Sequence, residues 1–219
     1  QTPQVGDFIE GGVVFWIDQT DNTKGLVCDV NNLPNSEWGC YGIAITGADG
    51  TAIETGAQNT IDIEAGCTTT NTAADRCANL SLNGYSDWFL PSKDELNQMY
   101  VNKVAINATA ALNSGSDFID GYHWSSSEYT NHMAWMQYFG DGHQTDNSKY
   151  FIAFMRTIRA YTVMIGGCDS TATLNLTITN STTSTDVQTA CDTYTWLDGV
   201  TYTTSNNTAT FTTTSAAGC

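Results

Sequence analysis

The stretch from Tyr122 to Tyr161 concentrates the side chains able to do chemistry. It holds all three His (His123, His132, His143), two of the six Trp (Trp124, Trp135) and two of the three Arg (Arg156, Arg159). A Ser/His/Asp hydrolase would have to be assembled from Ser125, Ser126 or Ser127, with His123 or His143 and Asp141. No G-x-S-x-G nucleophile elbow supports one. Asp141, Asp146 and Asn147, with nearby carbonyls, could hold Ca²⁺, a hard cation that takes oxygen ligands. A loop rich in Asp, Gly and Asn is also what an ordinary turn looks like. His132 and His143 are further candidates as transition-metal ligands.

The pattern that remains is one of recognition. Short anchors (Trp124 to Glu128, Ala134-Trp135, Gln137, Phe139, Gly142, Gln144, Lys149, Arg156, Arg159-Ala160) are separated by slots with no common chemistry. A packed frame carrying a mixed exposed set is what a binding surface requires, and catalysis does not. The residues expected to contact a ligand are Asn131, His132, Met133, Met136, Tyr138, Asp141, His143, Asp146 and Tyr150. Trp135, Tyr138 and Tyr150 could stack on a sugar or fill a protein pocket, although Trp124 and Trp135 sit among the anchors, where core is expected. Exposed Tyr and His with Asn and Asp suit adaptable recognition.

These side chains need a scaffold, and the bulk numbers allow one. The chain has 219 residues, 41% hydrophobic, with seven basic against 23 acidic residues and a formal net charge of −16. That is enough for one large domain, or a medium one with a small one. A nucleic-acid or heparin binder needs a basic field, so those partners are excluded as a class. No apolar run is long enough to cross a bilayer, so membrane insertion is not expected.

Val5 to Ile9, Val13 to Ile17 and Leu26 to Cys28 read as three short strands separated by Gly11-Gly12 and the turn cluster 18–25. Residues 31–56 are irregular. Short helical patterns follow at Asn59 to Ala65 and Thr72 to Leu80. Ser92 with Glu95 is a capping box opening a helix that carries Leu96, Met99 and Tyr100 on one face. Lys93, Asp94 and Glu95 are then expected to be solvent-facing first-turn residues, the acidic ones favouring the helix dipole. Residues 101–121 read as a looser helix or loop, and 122–161 as strand, long loops, strand. After Arg159 there is no Lys or Arg, and Thr dominates in period-two alternation, so 166–219 is expected to be a small all-β module. The domain boundaries expected are 1–165 and 166–219.

Seven Cys in an acidic chain point to an oxidising compartment. The absence of C-x-x-C argues against a zinc ribbon or a thioredoxin-type site. Cys67 with Cys77, Cys28 with Cys40, and Cys191 with Cys219 are the candidate disulfides, leaving Cys168 over; spacing leaves the connectivity open.

Gly11-Gly12-Val13-Val14-Phe15-Trp16, Thr55 to Thr60, Gly84 to Leu96 and Trp124 to Tyr129, with the Ala134-Trp135…Lys149…Arg156…Arg159-Ala160 ladder, resemble the Lcl C-terminal domain family over about residues 5–161. The resemblance implies an α+β, C-type-lectin-like fold related to the formylglycine-generating enzymes, on a secreted or surface-exposed bacterial protein. Those enzymes need a reactive Cys pair, and no Cys lies between Cys77 and Cys168, so no enzyme activity is expected. The Cys- and Thr-containing tail, Cys168 to Leu176 and Ala190 to Trp196, resembles repeats of Bacteroidetes surface adhesins, which implies a β-sandwich-like stalk and type IX secretion. Asp169-Ser170-Thr171 resembles the short motif O-glycosylated in that phylum.

The expectation is therefore a secreted cell-surface adhesin that binds a glycan or a surface protein without turnover, with neighbouring stalk repeats as further partners. Ca²⁺ is the one cofactor to consider. Relatives that bind sulfated glycosaminoglycans favour a glycan, while the net charge disfavours a polyanionic one. Two alternatives stand beside it: a structural subunit of an extracellular filament or sheath, and a variable binding protein diversified by a retroelement. Against the second, Met133 and Met136 occupy slots that adenine mutagenesis of Asn codons does not fill with Met.

Overall fold

The computed structural model describes residues 2–164, 171–178, 182–189, 193–197, 199–204, 206 and 208–209. The chain divides into two compact units, Gln1–Val163 and Met164–Cys219. It is a mixed fold of many short strands and few helices.

The first unit contains two sheets. Strands β1 (Phe8–Ile9), β2 (Gly12–Ile17) and β3 (Lys24–Cys28) run antiparallel, and β9 (Ile158–Thr162) joins them to give the order β1-β2-β3-β9. Val13, Val14 and Phe15 are all buried, as a continuous apolar run predicts for a strand covered on both faces. The second sheet has the order β4-β8-β5-β6-β7, from β4 (Leu33–Ser36), β5 (Tyr122–Thr130), β6 (Met133–Tyr138), β7 (Gln144–Ser148) and β8 (Ala153–Met155). Pro34 sits in the edge strand β4, where its missing N–H breaks no inner ladder. The region 122–161 is thus five strands, not two strands joined by long loops. Register shifts within the β5–β6 pair break the alternation that would have announced them.

Four helices cover the sheets. In α1 (Gly56–Gly66), Asn59, Thr60 and Ile63 face inward. In α2 (Ala73–Ala78), Thr72 and Asp75 form a reciprocal capping box. In α3 (Lys93–Val101), Ser92 and Glu95 form the second such box. Asn102 ends α3 and starts α4 (Lys103–Leu112), and its side-chain amide donates to the Phe15 carbonyl at 3.0 Å. One apolar core joins α1 and α2 to the second sheet through Trp38, Ile63, Leu90, Trp124 and Met155. The other joins α3 and α4 to the first sheet through Phe15, Leu96, Met99, Phe139 and Ile158.

Cys40 is bonded to Cys67, so the expected pairs Cys28–Cys40 and Cys67–Cys77 are not formed. Cys28 points into the core under the first sheet and Cys77 into the core under the second. Both thiols are fully buried, which pushes each pKa up to about 12. Peptide-level mapping after alkylation at pH 8 is expected to find Cys28 and Cys77 unlabelled in native protein and labelled in denaturant. Labelling of either in the native state would contradict their placement. Cys168, Cys191 and Cys219 lie outside the described residues.

In the second unit, β10 (Thr171–Ile178) pairs antiparallel with β11 (Thr182–Thr189) from Thr171↔Thr189 to Ile178↔Thr182. The two-residue strands β12 (Tyr194–Thr195) and β13 (Thr201–Tyr202) form a separate pair.

Candidate functional site

The anchor residues turn out to be ties. Each hydroxyl of Ser125, Ser126 and Ser127 is buried and engaged: Ser125 donates to the Trp135 carbonyl at 2.8 Å, Ser126 accepts from Asn59 at 3.2 Å, and Ser127 donates to the Gly50 carbonyl at 2.7 Å. Trp124 donates its indole N–H to Ser36 O, and Trp38 donates to Ser125 O, so both buried indoles are satisfied. Arg159 grips Asp87 with two nitrogens at 2.8 and 3.1 Å, donates to the Glu10 carbonyl at 2.7 Å and lies 3.7 Å over the Tyr85 ring. The Arg159 hydrogen bond holds the Asp87 carboxyl below its usual pKa.

Lys149 is the tie that shapes the surface. Its side chain is fully buried and ion-paired with Glu128, which is 9% exposed. The ammonium also donates to the Ile43 carbonyl at 2.9 Å and lies 4.4 Å over the Trp38 ring. The Glu128 carboxylate accepts the Ile45 N–H at 3.0 and 3.1 Å. The Lys149 carbonyl accepts from Trp38 and Gly39, and Gly42 donates to Asn131 O at the β5–β6 turn. The irregular loop 38–48 is thereby fixed against the hairpin tip, with the disulfide at its start.

On that frame runs a belt of aromatic rings. His132 meets Tyr41 edge-on with ring centres 4.7 Å apart, and Tyr41 stacks on Tyr150 at 4.5 Å. Phe151, the next residue, meets Tyr122 edge-on at 6.3 Å. Tyr122 lies 5.1 Å from Tyr138, and both lie 5.6 Å from His143. Tyr150 is 62% exposed, Ile152 56% and Ile43 50%, so the belt carries apolar surface to solvent. At its lower end Asp141 accepts from the His143 backbone N–H at 3.0 Å and faces His143 Nδ1 at 2.7 Å. These contacts hold the Asp141 carboxyl below its usual pKa. An ionised carboxylate only accepts, so Nδ1 carries a proton, and Nε2 faces the Tyr122 hydroxyl at 3.1 Å.

The expected ligand residues divide. Asn131, His132, Tyr138, Asp141, His143 and Tyr150 lie in or beside the belt. Met136 does not: it is 1% exposed and packs in the core beside Trp124. Met133 and Asp146 fall on the opposite face of the sheet, because the register pairs Met133 with Ser148 and Trp135 with Asp146. That face turns towards α3, where the Lys93 ammonium lies 4.0 Å over the half-buried Trp135 ring and Tyr129 meets it edge-on. The slots between anchors therefore do not share one face. The proposed metal set also comes apart. Asp146 and Asn147 are consecutive in β7 and project to opposite faces, while the Asp141 carboxylate is occupied by His143. Among the described residues, no group of three His, Cys, Asp or Glu side chains could hold a metal ion. His123 is buried, with its pKa pushed down to about 3 by desolvation, and its nitrogens face Gly121 O and Asn32.

Tyr41, Ile43, Tyr122, Phe151 and Ile152 were not among the expected contacts. Tyr41 and Ile43 lie some 80 residues upstream, and it is the ties of Lys149, Glu128 and Asn131 to residues 42–45 that bring them to the hairpin. The run Tyr150-Phe151-Ile152 has the composition of a buried strand, so nothing local marks it as exposed.

The first unit is thus a mixed α/β domain with a solvent-facing aromatic belt on an ion-paired frame. The family model of the Lcl C-terminal domain matches residues 19–159, and the chain belongs to that family. A solved structure, a fimbrial protein from Bacteroides ovatus, is similar at 15% identity with a TM-score of 0.46 over 73% of this chain. The match spans 45% of that structure's chain. No curated protein matches the sequence.

Proposed function

We propose that residues 1–163 form the non-catalytic, C-type-lectin-like recognition domain of a secreted, cell-surface adhesin, and that the aromatic belt binds a glycan or a surface protein. Two adjoining runs of rings, His132–Tyr41–Tyr150 and Phe151–Tyr122–Tyr138–His143, carry this reading. Ring faces and edges stack on the C–H faces of sugars and on protein side chains alike. Of the belt side chains, only Asp141 bears a fixed charge, which suits an uncharged ligand. The Cys40–Cys67 disulfide supports an oxidising, extracellular setting. Among the described residues, no helix is long and apolar enough to cross a membrane. The Thr-rich second unit is read as a stalk repeat.

The test is a glycan array with Ca²⁺ and with chelator, comparing the native chain with a Tyr41→Ala, Tyr150→Ala double variant. Both rings are well exposed, so the fold should survive their loss. Losing two aromatic contacts of about 1 kcal/mol each is expected to weaken binding roughly thirtyfold. Unaltered binding by the variant would remove the belt as the site. A blank array from folded native protein would shift the reading to a protein ligand.

One observation favours the second reading, a subunit of a filament or sheath. Helix α4 turns Val104 and Leu112 outward, 77% and 86% exposed. A concentration-dependent rise in sedimentation coefficient, abolished by Val104→Ser with Leu112→Ser, would support it.

A further inference from the structure

A second concavity lies away from the belt. It is a groove of about 580 Å³ between one face of α1 and the segment Asp87–Phe89. Along α1 its wall is Ala57, Ile61, Glu64 and Ala65, residues spaced by three or four and so stacked on one helix face. Trp88 and Phe89 form its floor. The size and the apolar lining are those of a small-molecule site, which needs only a few polar groups to orient its occupant.

The polar groups at the groove are already engaged, with one exception. Thr60 donates to Gly56 O and accepts from Leu90 N; the Trp88 indole donates to Leu82 O; Asp87 is held by Arg159. Glu64 remains. Its carboxyl meets a second carboxyl, that of Asp75 on α2, and not a base. Nor does any basic side chain line the groove. The nearest cation of α2, Arg76, turns its Nε to the Asn71 carbonyl. The neighbouring Cys77 thiol is buried and uncharged.

We propose that this groove binds a small amphiphilic cation, with an apolar ring or short alkyl body on Trp88 and Phe89 and an ammonium group against Glu64, which the Asp75 carboxyl adjoins. Two adjacent carboxyls are a place where a proton is held in common, and an ammonium can take that proton's place. Burial, then the bond to Asp75, pushes the Glu64 pKa up to about 7. Below that pH the proton occupies the pair and competes with the ammonium. Above it the Glu64 carboxylate is free to take the ammonium, while Asp75 stays on the Thr72 N–H, so affinity rises as the pH passes upward through 7.

The experiment titrates phenethylamine, and separately its uncharged counterpart 2-phenylethanol, into the full chain. The Trp88 indole N–H is followed by NMR and the heat by calorimetry. Phenethylamine is expected to bind saturably and about tenfold more tightly than the alcohol. Glu64→Gln should remove that tenfold preference and leave the alcohol unchanged. Ala65→Trp, which fills the groove from an exposed position, should abolish both. Between pH 6 and 8 the native chain should gain several-fold in phenethylamine affinity, and the Glu64→Gln variant should not. No saturable shift at millimolar amine overturns the proposal. So does equal affinity for amine and alcohol, or an Ala65→Trp variant of native spectrum that binds as before.

Discussion

Replacing Lys149 with methionine is expected to lower the melting temperature of the first unit by roughly 10 °C. The substitution keeps most of the apolar stem but leaves the Glu128 carboxylate, 9% exposed, without its cation. Breaking a buried ion pair from one side costs about 3–5 kcal/mol, because the remaining charge stays desolvated. In a unit of this size each kcal/mol moves the midpoint by about 2–4 °C. Adding Glu128→Leu to Lys149→Met should recover much of the loss, since a buried pair replaced as a whole is often near neutral. Both variants should also bind ligand more weakly than the native chain. The Ile45 N–H and the Ile43 carbonyl depend on these two side chains, so neither variant should hold Tyr41 in the belt as the native chain does. Thermal scans by circular dichroism provide the measurement. A drop of less than 2 °C in the single variant would mean that Glu128 finds water or another partner.

The second large effect is expected at Glu95. One carboxylate oxygen accepts the Ser92 N–H at 2.7 Å, closing the α3 capping box, and the other accepts the Glu54 N–H at 2.7 Å. The backbone N–H of Gly56, first residue of α1, also points to this carboxylate. The side chain is therefore a shared cap for two helix N-termini, whose orphan N–H groups would otherwise be buried and unmet. Gly56 fits there because a Cβ would collide with the carboxylate. Burial pushes the Glu95 pKa up, and the N–H bonds from Ser92, Glu54 and Gly56 oppose that shift. Glu95→Ala strands these donors at about 1–3 kcal/mol each, so a loss of about 4 kcal/mol is expected. Glu95→Gln keeps one acceptor oxygen and should lose about half as much. Urea unfolding at constant m-value reads both. A loss under 1 kcal/mol for the alanine variant would show that water replaces the cap.

Glu95 also marks where local reading ends. The capping box was legible, because Ser92 and Glu95 are three residues apart and their pattern is local. The burial of Glu95 was not. It arises because residues 54–56, some 40 positions upstream, dock on the same carboxylate. The starting strands β1 to β3 were legible from apolar runs and Gly turns, and α3 from its cap and its Leu96–Met99 face. The strands of 122–161 were half legible. Their anchors are real, but irregularities in the β5–β6 ladder hide which slots share a face, and a one-residue slip exchanges core for surface. Met136 was misplaced for that reason, as were Met133 and Asp146. The disulfide was misread because sequence proximity favoured Cys28–Cys40 and Cys67–Cys77, whereas the fold sends Cys28 and Cys77 into two different cores.

The short link between the two sheets has a mechanical consequence. The chain leaves the first unit from β9, paired along its length with β3 from Cys28↔Ile158 to Lys24↔Thr162. Only Arg156 and Thr157 separate β9 from β8 in the belt-bearing sheet. Those two residues are clamped: Arg156 donates to Ser116 O at 2.9 Å, and Thr157 accepts from Asp29 N and donates to Phe89 O. Tension applied at the tail while the belt is held is carried by backbone through this clamp, and it bypasses α1, α2 and the groove beside them. If the proposed belt site is held and the tail pulled, load reaches the belt-bearing sheet through this hydrogen-bonded link and not through a helix.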